Sequence, residues 1–246
     1  SESLLNNAIA TMIWNGSTAA FLPILERLRG NKNVFYSECG FFPQHEHFYL
    51  DKKGVNLKSQ LACDTLDWVK GEHMEALAEL SENWQKEVSP YSDTSDYIFV
   101  PLQVPTDSNI QNHSSFKDGM QSFIDYIESL YPDKNILIKT HPKDTNAGMY
   151  RSRFAKFVDS DTRSLIAGAD HIHGINSSVL YEAVLMGRSV SIEGECLLKS
   201  HINQVDKLLA AMIYRQYRVM DPTFVLDKLS RFSYLPIQEL QCQLSQ

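Results

Sequence analysis

A lysine, a histidine and a proline directly follow a short apolar run near the middle of the chain. The run Ile136–Ile138 has the composition of a buried strand, and Lys139, His141 and Pro142 come at its end. Lysine supplies a point charge for a phosphate, and histidine supplies a donor of adjustable charge. Proline fixes the backbone and ends the strand. The motif predicts an anion site, and an ordinary polar strand end is the alternative.

Two serines predict a second anion site, at the beginning of a helix. Ser177 and Ser178 open a helical pattern, where free backbone N–H groups and the helix dipole attract an anion. Ser177 serves equally well as an N-cap alone. Glu182 follows about one turn later, where a carboxylate can accept both hydroxyls of a ribose; a solvated helix glutamate is the alternative. Cation, anion site and hydroxyl acceptor together fit a nucleotide-sugar donor.

A third group of residues comes at the end of an N-terminal strand, in YSECGFFPQ. Glu38 is a candidate general acid/base facing a cleft, on the side of His141. Gly40 permits a tight turn or the close approach of a ligand. The alternative is an edge carboxylate beside a small buried cysteine, Cys39.

The bulk composition is that of a globular protein with a sizeable core, because 43% of the 246 residues are hydrophobic and 22% are charged. The net charge of -7 argues against general affinity for nucleic acid or anionic lipid, although it allows a small local anion site. The four cysteines form no CxxC pair, so neither a metal cluster nor a disulfide framework is expected, and a reducing cytosol fits best. No apolar run approaches the roughly 18 residues of a membrane span.

Strands alternate with helices in two parts of the chain, which predicts an α/β fold with parallel sheets. We expect two Rossmann-like domains facing a cleft: an N-terminal α/β domain with a helical linker region, 1–92, and a nucleotide-sugar-binding domain, 93–246. Residues 61–88 have a helical pattern, and helices are expected over most of 202–240. The N-terminal domain is short, so it is either a reduced version or lacks part of its natural sequence.

The order of these segments resembles the bacterial retaining β-Kdo glycosyltransferases of capsule and O-antigen synthesis. IKTHP resembles the family's Lys-x-His-Pro, and the segment from Ser177 its Ser-x-x-x-x-Glu-Ala motif. Each motif alone is weak, and their common order is what makes the resemblance specific. The matching segments are MIWNG, YSECGFFPQ, FYLDKKGVN, VPLQVPTDSNI, IKTHP and HGINSSVLYEAVLMGRSV.

The resemblance implies a GT-B fold with CMP-Kdo bound mainly by the C-terminal domain. The residues that would hold CMP are Lys139, His141, Ser177, Ser178 and Glu182, with Gln103 nearby. The enzyme would transfer Kdo to a saccharide or glycolipid acceptor in capsule, lipopolysaccharide or O-antigen synthesis. It would need neither metal nor cofactor, because cationic side chains and a helix N-terminus stabilise the leaving phosphate. It would work in the cytoplasm, brought to the inner membrane surface through partners.

The sequence departs from the family at the nucleophile. The family has Asp in its Glu-Asp-Gly segment, and this chain has Cys39. The cysteine is either a natural divergence or a replaced nucleophile, and in both cases impaired activity is expected. Two alternatives stay open: a transferase using CMP-sialate or a UDP-sugar, and a non-catalytic polysaccharide-assembly protein with a degenerate site.

Overall fold

The computed structural model describes residues 10–16, 21–28, 30 and 33–219. In this part of the chain strands and helices are interspersed, with no α-helix between β2 and β3 or between β5 and β6. The strands are β1 (Thr11–Trp14), β2 (Val34–Cys39), β3 (His47–Asp51), β4 (Tyr97–Pro101), β5 (Asn135–Lys139), β6 (Lys156–Phe157), β7 (His171–Gly174), β8 (Val190–Ile192) and β9 (Gln216–Arg218). The α-helices are α1 (Leu22–Arg27), α2 (Gly71–Glu87), α3 (Ser108–His113), α4 (Met120–Leu130), α5 (Thr162–Gly168), α6 (Ser178–Leu185), α7 (Leu197–Ser200) and α8 (Val205–Arg215).

The described residues fold as two compact units, one within 1–69 and 210–246 and the other within 70–209. This division differs from the domains predicted at 1–92 and 93–246. Helix α2 belongs to the second unit, and the described C-terminal residues return to the first. The return is made by β9, which pairs with β3, a contact between distant parts of the chain that no local pattern in the sequence indicates.

The two helical expectations at 61–88 and 202–240 hold only in part. In the first range only α2 is an α-helix, and it begins at Gly71. Residues 60–63, where the predicted helix would begin, form a 3₁₀ turn. In the second range α8 ends at Arg215 and the strand β9 follows. Residues 220–240 of that expectation lie outside the described residues.

The second unit contains a sheet in the order β6-β5-β4-β7-β8 in which every strand pair is parallel. All five residues of the central strand β4 are buried. Helix α4 covers one face with Phe123, Ile124 and Ile127, none of which is exposed. Burial on both faces explains why β4 and β5 read as continuous apolar runs.

The first unit contains a mixed sheet in the order β1-β2-β3-β9. Its β1–β2 pair is parallel, as predicted, whereas β2–β3 and β3–β9 are antiparallel. The connection from β2 to β3 explains the difference. It spans only residues 40–46, and a parallel crossover needs a dozen or more residues.

A buried glutamate of α4 holds the segment that precedes and forms β6. Glu128 is 1% exposed, and its carboxylate accepts hydrogen bonds from the hydroxyl of Ser152 at 2.7 Å and the backbone N–H groups of Arg153, Phe154 and Ala155 at 2.9–3.2 Å. Burial alone would raise the pKa of this carboxyl, but these donors outweigh it and lower the pKa to about 2. The glutamate therefore stabilises the fold in its charged form.

We expect Glu128→Gln to lower the free energy of unfolding at pH 7 by roughly 3 kcal/mol, because the donors in the folded protein then no longer bind a charged carboxylate. The folded-state pKa lies below the ordinary 4.5, so this stabilisation is present above pH 4.5 and disappears as the pH falls towards 2. Urea unfolding at pH 7 and at pH 3.5 should therefore give a smaller difference at the lower pH. The matched control is Glu79→Gln, an exposed residue of α2. Equal stability of Glu128→Gln and the control at pH 7 would contradict the assignment.

Candidate functional site

The carboxyl ends of β5, β4 and β7 meet at one edge of the second unit's sheet, with β4 in the middle. The backbone N–H of Leu102, after β4, donates to the carbonyl of Lys139 at the end of β5 at 2.9 Å. The half-buried Lys139 ammonium donates to the carbonyl of Ser160 at 2.5 Å. This edge is where ligands bind in open parallel sheets.

The ring of His141 is set up as a neutral hydrogen-bond donor. Its Nδ1 accepts the backbone N–H of Lys143 at 3.1 Å, so the proton of the neutral ring lies on Nε2. Burial, and after it the charge of Lys143, lower the pKa of His141. The ring is therefore neutral at pH 7, and its Nε2–H can donate to an oxygen of a ligand.

Gln103 and Asn176 join the ends of β4 and β7 by two reciprocal hydrogen bonds. Gln103 Nε2 donates to Asn176 Oδ1 at 2.9 Å, and the backbone N–H of Asn176 donates to Gln103 Oε1 at 3.1 Å. Asn176 Nδ2 also donates to the carbonyl of Asn109 in α3 at 3.1 Å. Both residues are 8% exposed. Gln103 therefore holds this edge together, and its contact with a donor stays a prediction.

The serines lie at the beginning of α6. Ser177 is the N-cap, and its Oγ accepts the backbone N–H of Val179 at 3.2 Å. Ser178 is the first residue of the helix, and both side chains are half-buried. The capping interpretation of Ser177 thus holds, and the anion site at the same helix end stays a prediction.

Glu182 is a half-buried carboxyl that makes no side-chain hydrogen bond to any residue in the described part of the chain. Burial raises its pKa to about 7; the nearby charge of Arg163 opposes this rise, and that of Asp161 adds to it. Both neighbours follow Ser160, whose carbonyl binds Lys139. The segment 160–163 therefore contacts Lys139 of β5 through a hydrogen bond and influences Glu182 of α6 through its charges.

Arg163 is a candidate that sequence reasoning missed. Its guanidinium carbon lies 3.5 Å from the centroid of the Trp84 ring, a cation–π contact with a residue that is 4% exposed. The stack fixes a cation next to Glu182, where it can attract an anionic group. The only local signal is the N-cap that precedes it, Asp161, whose carboxylate accepts the N–H of Ser164 at 2.8 Å.

The first unit contains Glu38 and Cys39, both half-buried, at the end of β2. Glu38 Oε2 accepts from Asn15 Nδ2 at 2.5 Å, and its Oε1 accepts from the backbone N–H of Cys39 at 2.9 Å. Cys39 pairs with Phe48 in the β2–β3 ladder and is in no disulfide within the described residues. Their relation to the donor residues of the second unit stays a prediction.

The turn after Cys39 is fixed by close packing and by a glutamine of β9. A Cβ on Gly40 would lie 2.3 Å from the Cβ of His47, so only glycine fits there. Gln216 Oε1 accepts the N–H groups of Phe41 and Phe42, each at 2.9 Å, and its Nε2 donates to the carbonyl of Phe42 at 2.9 Å. Gln216 is a second positioning residue that the sequence did not reveal.

The structure thus brings five predicted residues to the carboxyl edge of one sheet and the helix beyond it: Lys139, His141, Ser177, Ser178 and Gln103. Glu182 belongs to the same helix as the serines. Within the described ranges no group of three or more His, Cys, Asp or Glu side chains could hold a metal ion. None of the described helices is long and apolar enough to cross a membrane.

The two α/β units and the polar edge of the parallel sheet define a GT-B-like α/β protein. Residues 64–200, more than half of the chain, match the family described as Capsule polysaccharide biosynthesis protein. The chain therefore belongs to this family, which confirms the relation predicted from the order of the motifs.

Two solved structures have a similar fold. KpsC of Thermosulfurimonas dismutans, described as a beta Kdo 2,7 transferase, aligns with a TM-score of 0.69 at 18% identity over 98% of this chain and 88% of its own. The beta Kdo 2,4 transferase of KpsC from the same organism aligns with a TM-score of 0.68 at 15% identity over 93% of this chain and 86% of its own. The likeness confirms the predicted GT-B-like fold.

A curated relative extends well beyond the length of this chain. Protein FixF of Sinorhizobium fredii (strain NBRC 101917 / NGR234) is 28% identical over an alignment of 201 residues, and the match covers 76% of this chain and 48% of FixF. The chain thus spans about half the length of the curated relative it matches.

We expect Glu182→Gln to make the protein more stable at pH 8, by up to about 3 kcal/mol. The folded-state pKa of about 7 lies above the ordinary 4.5, so the folded wild type binds the extra proton between these values. Its free energy of unfolding therefore falls as the pH rises from 4.5 through 7, and the glutamine variant lacks this fall. Urea unfolding at pH 5 and pH 8 measures the difference, with the exposed Glu75→Gln as the matched control. A glutamine variant less stable than wild type at pH 8 would contradict the environment described for Glu182.

Proposed function

We propose that the chain is a glycosyltransferase of capsule or related surface polysaccharide synthesis that takes Kdo from CMP-Kdo. The second unit binds the CMP part of the donor, and the acceptor is a saccharide or glycolipid. Support comes from family membership, from the fold shared with proteins described as Kdo transferases, and from the polar groups at the edge of the parallel sheet.

The observation that carries the proposal is that the half-buried Glu182 carboxyl has no side-chain hydrogen bond within the described residues. A carboxyl with a pKa of about 7 and no side-chain hydrogen bond within the described residues reduces stability at neutral pH. Perturbed carboxyls of this kind cluster at functional sites. Two ribose hydroxyls would give both of its oxygens a donor, and they would favour its ionised form.

The phosphate of CMP would lie between His141 and the first turn of α6. The neutral His141 ring offers its Nε2–H to one phosphate oxygen, and the N–H groups at Ser177 and Ser178 offer the positive end of the helix. Lys139 and Arg163 add positive charge around the same group. These donors stabilise the charge that develops on the leaving phosphate as the bond to the sugar breaks.

A retaining transfer by double displacement requires a nucleophile and an acid/base group, which we assign to positions 39 and 38. In the first step the nucleophile bonds to the anomeric carbon, and the bonding electrons leave with the phosphate of CMP. In the second step an acceptor hydroxyl displaces the nucleophile and gives its proton to Glu38. A thioglycoside formed by Cys39 would leave reluctantly, so we expect slow or absent turnover.

A second candidate function is a non-catalytic polysaccharide-assembly protein, and Cys39 is the observation that favours it. A third is transfer from CMP-sialate or a UDP-sugar, for which the same edge residues would serve. Nucleotide preference separates a UDP-sugar donor from the two CMP donors, and turnover of CMP-Kdo compared with CMP-sialate separates these two. Turnover after restoration of the nucleophile separates the second candidate.

We expect CMP to bind this protein more tightly than UDP or GDP, and His141→Ala to weaken CMP binding by about tenfold or more, since a hydrogen bond to a charged phosphate is lost. Isothermal titration calorimetry measures both effects. His45→Ala is the matched control, because His45 is an exposed histidine in a 3₁₀ turn of the first unit.

The assignment of the donor site fails if a His141→Ala, Glu182→Ala double variant that keeps its circular dichroism spectrum binds CMP as tightly as wild type. Tighter binding of UDP would instead favour the third candidate and contradict CMP as the nucleotide.

We expect Cys39→Asp to produce or raise the transfer of Kdo from CMP-Kdo, because a sugar ester of aspartate forms and breaks more readily than a thioglycoside. Release of CMP in the presence of an acceptor, and the Kdo-bearing product detected by mass spectrometry, are the measurements. Cys39→Ala, which has no nucleophile, and Cys39→Asn, which matches aspartate in size, are the controls. Full transferase activity of Cys39→Ala would remove position 39 from the mechanism.

A further inference from the structure

A row of exposed basic and apolar side chains lies on the segment that leads into and forms the edge strand β6. Three large apolar residues of this segment are exposed to an unusual degree: Met149 by 71%, Phe154 by 44% and Phe157 by 42%. We call it the basic-apolar surface. It consists of Met149, Arg151, Arg153, Phe154, Lys156 and Phe157, all of them exposed.

The other side chains of the same segment point inward and anchor it. The hydroxyl of Tyr150 donates to Asp144 at 2.5 Å, and that of Ser152 donates to Glu128 at 2.7 Å. Ala155 packs against the apolar core of the second unit. Anchored and exposed residues are thus interspersed along the segment. The phenylalanines are exposed because the anchored neighbours hold the segment in this conformation.

The charge of the segment is opposite to that of the chain. Residues 145–158 contain Arg151, Arg153 and Lys156 and no acidic residue, whereas the whole chain has a net charge of -7. Arg153 donates through Nε to the buried Glu128 at 3.2 Å, and its side chain is still 66% exposed. The net negative charge of the chain predicts repulsion from anionic surfaces, but residues 145–158 are locally basic.

We propose that the basic-apolar surface binds directly to an anionic phospholipid bilayer. Basic residues attract the negative headgroups, and exposed phenylalanine and methionine side chains enter the boundary between headgroups and acyl chains. An anchored segment has already lost its conformational freedom, so binding costs less entropy. The proposal does not depend on the nature of the donor, and it differs from recruitment through a partner protein.

Two other occupants fit this surface less well. A saccharide can bond to the basic residues and stack on a phenylalanine ring, but it makes no use of the apolar chain of Met149, which is 71% exposed. A strand from another chain would need a longer edge, whereas β6 has two residues and one of them, Lys156, is of the type that protects edges. A lipid surface uses both the charge and the apolar area.

The test is co-sedimentation of the protein with vesicles of phosphatidylcholine and phosphatidylglycerol, compared with vesicles of phosphatidylcholine alone. We expect binding to the anionic vesicles that weakens at high salt. Lys156→Gln should weaken it by about fivefold, the value for one basic residue near such a surface. A Phe154→Ser, Lys156→Gln, Phe157→Ser triple variant should weaken it by about tenfold or more.

The matched control is Leu130→Ser, Lys134→Gln, which removes an exposed apolar residue and an exposed lysine elsewhere in the same unit. His141→Ala should bind vesicles as wild type does, so that failure of the donor site and failure of the lipid surface give different results. Two outcomes would overturn the proposal: equal vesicle binding by the triple variant and the control, or capture of the wild type by polygalacturonate, lost in the triple variant, without any binding to anionic vesicles.

Discussion

The reciprocal hydrogen bonds between Gln103 and Asn176 are the interaction on which the candidate site depends. They join the loops after β4 and β7 in a place where both amides are buried, and Asn176 also binds a carbonyl of α3. A buried amide that loses its partner costs about 1–3 kcal/mol, so the two loops have one favoured arrangement. Because Ser177 directly follows Asn176, this arrangement also sets the direction in which α6 begins.

The fold was predictable from the sequence wherever burial repeats at short range. Strands β4 and β5 are buried on both faces and read as apolar runs, and α4 has a continuous apolar stripe. Strand β9 was not predictable, since three residues after a helix carry little pattern, and their partner β3 lies far away in the sequence. The antiparallel β2–β3 pair was within reach of sequence reasoning, because the short connection between the two strands rules out a parallel crossover.

Part of the candidate site was predictable because its residues follow strands or begin a helix. Lys139, His141 and the two serines were found in this way. Gln103 was found only through the resemblance to the family, and its partner Asn176 was not found, because an amide pair has no spacing of its own. The contact of Arg163 with Trp84 exists only after folding. Sequence patterns find groups that a local element presents, and tertiary contacts decide which of them are already occupied.

Two glutamates of the second unit differ in whether tertiary contacts occupy their carboxylates. This difference distinguishes a structural residue from a candidate ligand-binding residue. Glu128 is 1% exposed, its oxygens accept hydrogen bonds from four residues, and its pKa falls to about 2. Glu182 is less buried, yet it has no side-chain hydrogen bond within the described residues, and its pKa rises to about 7. If Glu182 served the fold alone, burial without a partner would only reduce stability, and an apolar or a fully exposed residue would serve better. The carboxylate that the fold leaves without donors is therefore the one with capacity for hydroxyls from outside the protein.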